Sequence, residues 1–305
     1  MKPLRLLSFS DCPTVAPLKS LFAENGIVEY TEIDLEGLAP NDPLRSYSSP
    51  TVLYGDELIL GGRTSGGSMG CSVLPSSEMA GALRNLKTRM NRDYWLGRWE
   101  RGETGWHQTG TEPALVHWFG HRSRKRIFVP LCGKSLDLKW LLDQGHDVIG
   151  CELSTEAVNA FFNENGIEFE SSKEGKFAVY RAHSITIYNG DVFDLEASHL
   201  GRLDAVYDRA ALIALGPELR ARYSRHLLKI LAPSREHAEF EFLQVVLERS
   251  PPDRSGPPFS IPAAEVTQAY GEAFRIEPTS REAVEARGPA ESRTEECVYL
   301  LQPKT

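Results

Sequence analysis

The residues with the clearest chemical potential follow one predicted buried strand. An apolar run at 127–130 leads into Leu131, Cys132 and Gly133, and a helical pattern and a second apolar run then end at Glu152. Ligands of open parallel sheets bind beyond the carboxyl ends of the strands. There a glycine permits close approach, and an acidic side chain about 20 residues further on accepts hydrogen bonds from a ribose. This order predicts a site for a nucleoside-bearing cofactor.

The same stretch lacks the glycine-rich loop that holds a pyrophosphate. No Gly-x-Gly-x-x-Gly follows the strand, so the phosphates of a dinucleotide have no cradle. A nucleoside without phosphates fits better, which favours S-adenosylmethionine as the cofactor. Two further predicted strands lead to Asp191 with Val192 and to Asp208 with Arg209, and we expect these side chains at the same edge of the sheet. A nicotinamide-dependent oxidoreductase is the alternative within the enzymes.

A second reactive position lies near the amino terminus. Cys12 follows a short apolar strand and precedes a helical pattern, and a helix N-terminus stabilises a thiolate. The second cysteine of a Cys-x-x-Cys motif is absent, and Cys71, in a glycine-rich loop at 66–71, is the other thiol of this segment. Cys12 and Cys71 are therefore candidate redox residues, and a module that only binds or solubilises is the equal alternative.

The composition limits the classes of function. A chain of 305 residues has room for two domains, and its net charge of −8 provides no broad basic field for nucleic acid. No apolar run has membrane-spanning length, the start does not resemble a signal peptide, and no metal-ligand spacing stands out. Five cysteines without framework spacing indicate a reducing compartment. We expect a cytoplasmic monomer without nucleic-acid, membrane or metal partners.

The predicted elements divide the chain into domains at 1–87 and 88–305. The first has the order βαβ, then ββα, with Cys12 at the first helix and Pro50 opening the third strand. This arrangement resembles the thioredoxin/glutaredoxin fold, and the resemblance implies a cis Pro50 facing Cys12. A fusion of this kind suggests that the first domain reduces, or holds as a mixed disulfide, the substrate of the second.

The second predicted domain alternates strands and helices after an aromatic-rich start. Four of the five tryptophans lie between 95 and 118, with Trp95 and Trp99 one helical turn apart, as core packing or as a lid over a ligand. Five parallel strands and a terminal antiparallel hairpin predict a doubly wound, mostly parallel sheet of seven strands. His107 is interpreted as a packed, hydrogen-bonded histidine, and Arg209 as a substrate contact or as an ion pair with Asp208 or Glu152.

Seven ordered motifs give the second domain a family resemblance. They are Trp-x-x-x-Trp at 95–99, Gly-Trp-His-Gln at 105–108, Val-Pro-Leu-Cys-Gly-Lys at 129–134, Gly-Cys-Glu-Leu-Ser at 150–154, Asp-Val-Phe-Asp-Leu at 191–195, Tyr-Asp-Arg-Ala-Ala-Leu-Ile-Ala at 207–214 and Gly-Pro-Pro-Phe at 256–259. Together they resemble the thiopurine S-methyltransferase family over about residues 90–303. Where that family often has a tyrosine and an acidic residue after the fifth strand, this chain has Leu-Glu-Arg at 247–249, which leaves the loop at 251–258 as the least defined part of the acceptor site.

The resemblance implies the class I methyltransferase fold and S-adenosylmethionine as the cofactor. It implies that Trp95, Leu131, Glu152 and Val192 with Asp191 hold the cofactor and that Arg209 lies near the substrate. Gly133 and Arg209 complete the predicted cofactor-binding residues.

Asp208 and Arg209 are the predicted catalytic residues. The expected acceptor is a thiol, selenol or metalloid of a small molecule, because a thiolate needs no strong general base. The alternatives are methylation of a nitrogen in a thiol-containing small molecule, or a protein that senses redox state or binds thiols without catalysis. Cys132 is interpreted as part of the cofactor turn rather than as a nucleophile.

Overall fold

The computed structural model describes residues 2–64, 70–251, 256–284 and 293–304. The chain divides into two compact units, Met1–Gly97 and Arg98–Thr305. The division falls inside one helix of 25 residues, Ser76–Glu100, whereas the sequence predicted a boundary after residue 87. No proline interrupts residues 76–100, so the helix continues past the predicted boundary.

The first unit is a four-stranded sheet with two helices. Its strands are β1 Leu4–Ser8, β2 Thr31–Asp34, β3 Thr51–Tyr54 and β4 Glu57–Leu60, and its helices are α1 Val15–Glu24 and α2 Ser76–Glu100. The strand order is β2-β1-β3-β4, with β1 and β2 parallel and the other pairs antiparallel. Leu6, Phe22 and Leu86 are fully buried in one apolar cluster between the sheet and both helices. The Ser49–Pro50 peptide is cis.

The second unit is built on one large mixed sheet. Its strands are β5 Arg126–Pro130, β6 Asp147–Glu152, β7 Glu170–Glu174, β8 Phe177–Ala182, β9 Ile185–Asn189, β10 Ala205–Arg209, β11 Glu241–Ser250, β12 Phe274–Val284 and β13 Arg293–Pro303. The order is β12-β13-β11-β10-β5-β6-β9-β8-β7. Strands β11, β10, β5, β6 and β9 are mutually parallel, and β13 and β12 follow antiparallel, as the sequence predicted.

The sheet of nine strands corrects the predicted count of seven. The two additional strands, β7 and β8, form an antiparallel hairpin that extends the sheet beyond β9. Strand β7 reads Glu-Ser-Ser-Lys-Glu and is exposed along almost its whole length. It lies at the edge of the sheet, neither of its faces is buried, and its sequence carries no alternation of apolar and polar residues from which to predict a strand.

Helices cover both faces of the large sheet. They are α3 Pro113–Phe119, α4 Leu136–Asp143, α5 Thr155–Glu164, α6 Ala197–Leu200, α7 Ala211–Ala214, α8 Pro217–Ile230, α9 Ala232–Arg235 and α10 Ala263–Tyr270. Successive side chains of a strand point to opposite faces, so Phe128 joins one apolar cluster while Ile127 and Val129 join the other. No helix in the described part of the chain is long and apolar enough to cross a membrane.

Candidate active site

The turn after β5 has an unusual backbone. Leu131 and Gly133 both have positive φ, 47° and 55°. Glycine adopts this conformation without cost, but for leucine it costs about 1–3 kcal/mol and is found where the surroundings hold it in place. The Cys132 N–H donates to the Cys151 carbonyl at 3.1 Å, which ties the turn to the end of the neighbouring strand β6. The sequence predicted a tight turn here but not the strained leucine.

Glu152, at the end of β6, joins two turns through its carboxylate. One oxygen accepts the Gly133 N–H at 2.8 Å and the other accepts the Ser154 N–H at 2.7 Å. Burial raises the pKa of Glu152, and the backbone donors oppose that rise. Two oxygens have about four lone-pair positions, so the carboxylate retains acceptor capacity after both bonds. Gly133 has no Cβ above this carboxylate, and a nucleoside ribose fits that combination.

Asp191 and Val192 follow the next strand of the sheet. Strand β9 pairs with β6, so that Asn189 is the register partner of Glu152 and its amide donates to the Glu152 carbonyl at 2.9 Å. Asp191 then caps a short 3₁₀ turn by accepting the Phe193 N–H at 3.0 Å. Val192 is nearly buried in the adjoining apolar cluster. The ends of β6 and β9 therefore place Glu152 and Asp191 at one edge of the sheet.

Asp208 lies fully buried in β10. Its Oδ2 accepts the Tyr223 hydroxyl at 2.7 Å, and Gln244 donates to its backbone carbonyl at 3.0 Å. Within the described residues Oδ1 has no hydrogen-bond partner. Burial raises the pKa of Asp208 to about 6, against the lowering effect of its hydrogen bonds. The side chain therefore lies among aromatic hydroxyls in the interior.

Arg209 points to the opposite side of the sheet from Asp208. Its guanidinium lies 3.1 Å from Asp137 Oδ2 and 3.3 Å from Glu112 Oε2, and its side chain is 15% exposed. The Tyr207 hydroxyl donates to the same Asp137 oxygen at 2.9 Å. The predicted ion pair with Asp208 or Glu152 is wrong, because alternation along β10 turns Arg209 away from Asp208.

The two acidic residues that form ion pairs with Arg209 were not predicted from the sequence. Glu112 precedes α3 as its N-cap residue, and Asp137 lies in the first turn of α4. The Glu112 N–H donates to Asp137 Oδ1 at 2.8 Å, so the Asp137 carboxylate holds the backbone of Glu112 at the start of α3. Acidic residues are common at helix starts for reasons of capping alone. Their place at the start of a helix was the one feature of the sequence that could have indicated these two residues. It does not distinguish a residue of a functional site from one that only caps a helix.

A tryptophan other than the predicted one lies beside the turn. A Cβ placed on Gly133 would be 3.4 Å from the Trp99 ring, and Trp99 meets Trp106 edge to face at 5.6 Å between ring centroids. Trp95 lies earlier on α2, in the first unit, with its ring edge-on to Tyr94. The repeat of tryptophans one turn apart gave the signal for Trp99, which the predicted site did not include.

Cys132 is packed as a structural residue. It is 6% exposed, and a Cβ on Gly150 would lie 2.8 Å from its sulfur, so the thiol occupies the space above that glycine. Burial, with the nearby Glu152 charge, raises the pKa of the thiol well above its usual range. A neutral, enclosed thiol agrees with the interpretation of Cys132 as part of the turn.

Two other predictions fall near or outside the described residues. Of the acceptor loop at 251–258, residues 252–255 lie outside the described part, and so do residues 66–69 of the glycine-rich loop before Cys71. Arg249 is 2% exposed and donates to the Pro258 carbonyl at 3.0 Å.

In the first unit, Cys12 and Cys71 are brought together, with 2.9 Å between their sulfurs.

Comparison with known proteins identifies the family. The family model described as thiopurine S-methyltransferase matches residues 90–304. A thiopurine S-methyltransferase of Nitrosospira multiformis is 40% identical over 224 residues, which cover 71% of this chain and 100% of that protein. One from Pseudomonas paraeruginosa is 42% identical over 226 residues, covering 70% of this chain and 99% of that protein.

Among solved structures, the 1,6-didemethyltoxoflavin-N1-methyltransferase of Burkholderia thailandensis is 16% identical with a TM-score of 0.49, covering 78% of this chain and 94% of that one. The second unit is an α/β S-adenosylmethionine-dependent methyltransferase. More narrowly, the chain belongs to the thiopurine S-methyltransferase family.

Proposed function

We propose that this enzyme methylates the sulfur of a small-molecule thiol, or a selenol or metalloid of similar softness. The observation that carries the proposal is that Asp208, the predicted catalytic carboxylate, is fully buried and bonded to Tyr223, so it is not an accessible general base. An acceptor that ionises without help is therefore favoured, and thiols have pKa values of about 8.5. The relatives are thiopurine S-methyltransferases, which supports a soft sulfur acceptor for this chain.

The cofactor is proposed to lie along the ends of β5, β6 and β9. When bound, S-adenosylmethionine supplies an electrophilic methyl group. Glu152 accepts the ribose hydroxyls, Leu131 and Gly133 form the wall of the turn, and Asp191 with Val192 borders the base. Trp95 and Arg209 complete the proposed set, and Trp99 joins it because its ring lies against Gly133.

Arg209 is proposed as the catalytic residue that faces the acceptor. Its guanidinium is partly exposed and is held in orientation by Glu112 and Asp137. A fixed cation stabilises an anionic thiolate at the point of attack and aligns it with the methyl group. We propose that Asp208, which was predicted to be catalytic, positions the Arg209 segment from the interior instead of touching the acceptor. Ala210, directly after Arg209, has a φ of 67°, so this segment is conformationally constrained.

Substitution of Arg209 by lysine tests this role. The charge remains, but the planar fork that meets two carboxylates is lost, so we expect kcat/KM for a thiopurine thiol to fall about 100-fold. The affinity for S-adenosylmethionine, measured by calorimetry, should change less than about threefold if the role is at the acceptor. The matched control is Arg124→Lys, whose guanidinium pairs through two nitrogens with Asp147 at the start of β6, the opposite edge of the sheet from the strand ends. Unchanged turnover in Arg209→Lys would contradict the assignment.

The first unit is proposed to be a thioredoxin-like domain. Its support is the strand order β2-β1-β3-β4 with α1 between the parallel pair and α2 after β4. A cytoplasmic location is proposed from five cysteines that are all free thiols. A monomer without nucleic-acid partners is proposed from the net charge of −8. Size-exclusion chromatography with light scattering tests the oligomeric state.

A further inference from the structure

Cys12 and Cys71 are held together by backbone pairing and not by chance proximity of two loops. The Ser49 N–H donates to the Gly70 carbonyl at 2.9 Å, and the Ser72 N–H donates to the Ser49 carbonyl at 2.7 Å. This ladder places Cys71 beside Ser49, whose carbonyl is 3.2 Å from the Cys12 sulfur. The Thr14 hydroxyl, at the start of α1, donates to the Ser72 carbonyl at 3.2 Å. The two sulfurs, 59 positions apart in the chain, therefore face each other at 2.9 Å.

The surroundings make the two thiols unequal. Burial opposes ionisation of Cys12, but hydrogen bonds from Cys71, Ser49 and Thr14 together lower its pKa. The pKa of Cys71 is raised, first by its hydrogen bond to Cys12. The thiolate is the nucleophile in thiol–disulfide exchange, so Cys12 is the better attacking group at neutral pH. Cys71 is exposed, whereas Cys12 is 6% exposed, so a reaction partner approaches from the Cys71 side.

An open depression of about 620 Å³ adjoins Cys71, the exposed member of the pair. Its lining is mostly polar and includes Ser48, Thr64, Cys71 and Ser72. Arg63 supplies one positive charge and Glu78 one negative charge. A small disulfide with carboxylate and ammonium groups, as in amino-acid and peptide thiols, matches these two charges. The narrow exposure of Cys12 favours such a small disulfide over a disulfide inside a folded protein.

We propose that Cys12 and Cys71 form a reversible dithiol/disulfide couple that reduces small-molecule disulfides. The Cys12 thiolate attacks one sulfur of the disulfide RSSR, forming a mixed disulfide at Cys12 and releasing RS⁻, which takes the proton of Cys71. The Cys71 thiolate then attacks the Cys12 sulfur, forming the Cys12–Cys71 disulfide and releasing the second RS⁻. The protein dithiol is oxidised by two electrons, and RSSR is reduced to two thiols.

This activity goes beyond methyl transfer and stands on the first unit alone. Its product nevertheless has the chemistry of the proposed methyl acceptor, a small thiol. A reaction that releases thiols therefore precedes, by chemical class, a reaction that methylates them. Each can fail without the other, because the exchange requires no S-adenosylmethionine.

The test uses the reduced full-length protein with oxidised glutathione as the probe, without S-adenosylmethionine. For the unsubstituted protein we expect a mass lower by two hydrogens, a peptide linking Cys12 to Cys71, and two equivalents of released thiol. Cys71→Ser should instead accumulate one glutathione on Cys12 and release one equivalent. Cys12→Ser, or Cys12→Ala where the serine variant folds poorly, should react at Cys71 at least about tenfold more slowly.

Cys297→Ser is the matched control, since Cys297 is a buried free thiol of the second unit. It should form the Cys12–Cys71 disulfide at the rate of the unsubstituted protein. The proposal is overturned by the absence of a Cys12–Cys71 linkage in the unsubstituted protein, or by equal reaction of Cys12→Ser at Cys71.

Discussion

Cys12 and Cys132 occupy the same place in their respective sheets and differ in chemistry. Each follows the first strand of its unit, β1 or β5, and precedes a helix, α1 or α4. Each is 6% exposed. Yet the pKa of Cys12 is lowered, whereas that of Cys132 is raised well above its usual range. Equal surface exposure at equivalent positions therefore does not determine whether a thiol is reactive.

The neighbours account for the difference. Cys12 faces a second thiol at 2.9 Å, and hydrogen bonds from that thiol, Ser49 and Thr14 stabilise its ionised form. Cys132 packs over the bare backbone of Gly150, where burial first and the charge of Glu152 second oppose ionisation. One turn is thus built for a thiolate, and the other is built to place Gly133 and Glu152 around a ligand.

The largest expected effect is on thiol reactivity. At pH 7 we expect Cys12 to react with iodoacetamide about a thousandfold faster than Cys132. The lowered pKa of Cys12 increases its thiolate fraction, whereas the raised pKa of Cys132 decreases the thiolate fraction there. Peptide mass spectrometry after timed quenching measures both rates in one sample. Denaturation should bring the two rates together, and similar rates in the folded protein would remove the contrast.

A change at Glu152 should damage the cofactor turn and leave the first unit intact. Glu152→Gln keeps the shape but removes the charge that accepts the Gly133 and Ser154 N–H groups, so we expect S-adenosylmethionine to bind about 100-fold more weakly. Calorimetry measures the affinity, and exchange with oxidised glutathione should be unchanged. The control is Glu164→Gln, a largely exposed residue paired with Lys134. Loss of affinity in the control as well would mean a general effect of charge.

The residues at the strand ends could be predicted from the sequence, but the ion-pair partners of Arg209 could not. Leu131, Gly133, Glu152 and Asp191 could be predicted because apolar strands and parallel order bring their ends to one edge. The contacts of Arg209 could not, because they come from helix starts at Glu112 and Asp137, which lie far away in the chain. Which side chain meets which depends on strand alternation and helix placement, and no local spacing encodes either.

The first unit shows the same limit in another form. Cys12 could be identified from its place after β1, since helix N-termini favour thiolates. Its contact with Cys71 depends on the pairing of Ser49 with the segment at 70–72, and the spacing of 59 positions gave no indication of it. The hairpin of β7 and β8 was missed for a different reason, because an exposed polar edge strand has no periodic pattern.

A third buried group, Asp208, tests whether burial controls the pKa of a side chain that receives few hydrogen bonds. The folded protein retains the Asp208 proton up to about pH 6, whereas the unfolded chain loses it near about pH 4. Stability therefore falls as pH rises between these values, and the cost of about 3 kcal/mol persists above them. Asp208→Asn should be about 2 kcal/mol more stable at pH 8, because the amide keeps most of the Tyr223 bond.

Thermal and urea unfolding of both proteins from pH 4 to pH 8 measure this difference. It should shrink to about a few tenths of a kcal/mol near pH 4, where Asp208 is protonated in the folded protein and about half protonated in the unfolded chain. Tyr223→Phe provides the comparison, since it removes the donor and keeps the carboxyl group. A difference independent of pH would mean that Asp208 is not the titrating group.

The smallest expected effect is at Cys132 itself. Cys132→Ala removes one buried sulfur above Gly150, so we expect a loss of about 1 kcal/mol in unfolding free energy and turnover within about twofold of the unsubstituted enzyme. Steady-state methylation of a thiol acceptor and urea unfolding measure the two quantities. Cys12→Ala should likewise leave methylation of a free thiol unchanged while slowing exchange with a disulfide at least about tenfold. If Cys132→Ala instead stopped methyl transfer, the Cys132 thiol would take part in the reaction. The contrast between a reactive Cys12 and an unreactive Cys132 would then be wrong, even though burial raises the pKa of Cys132.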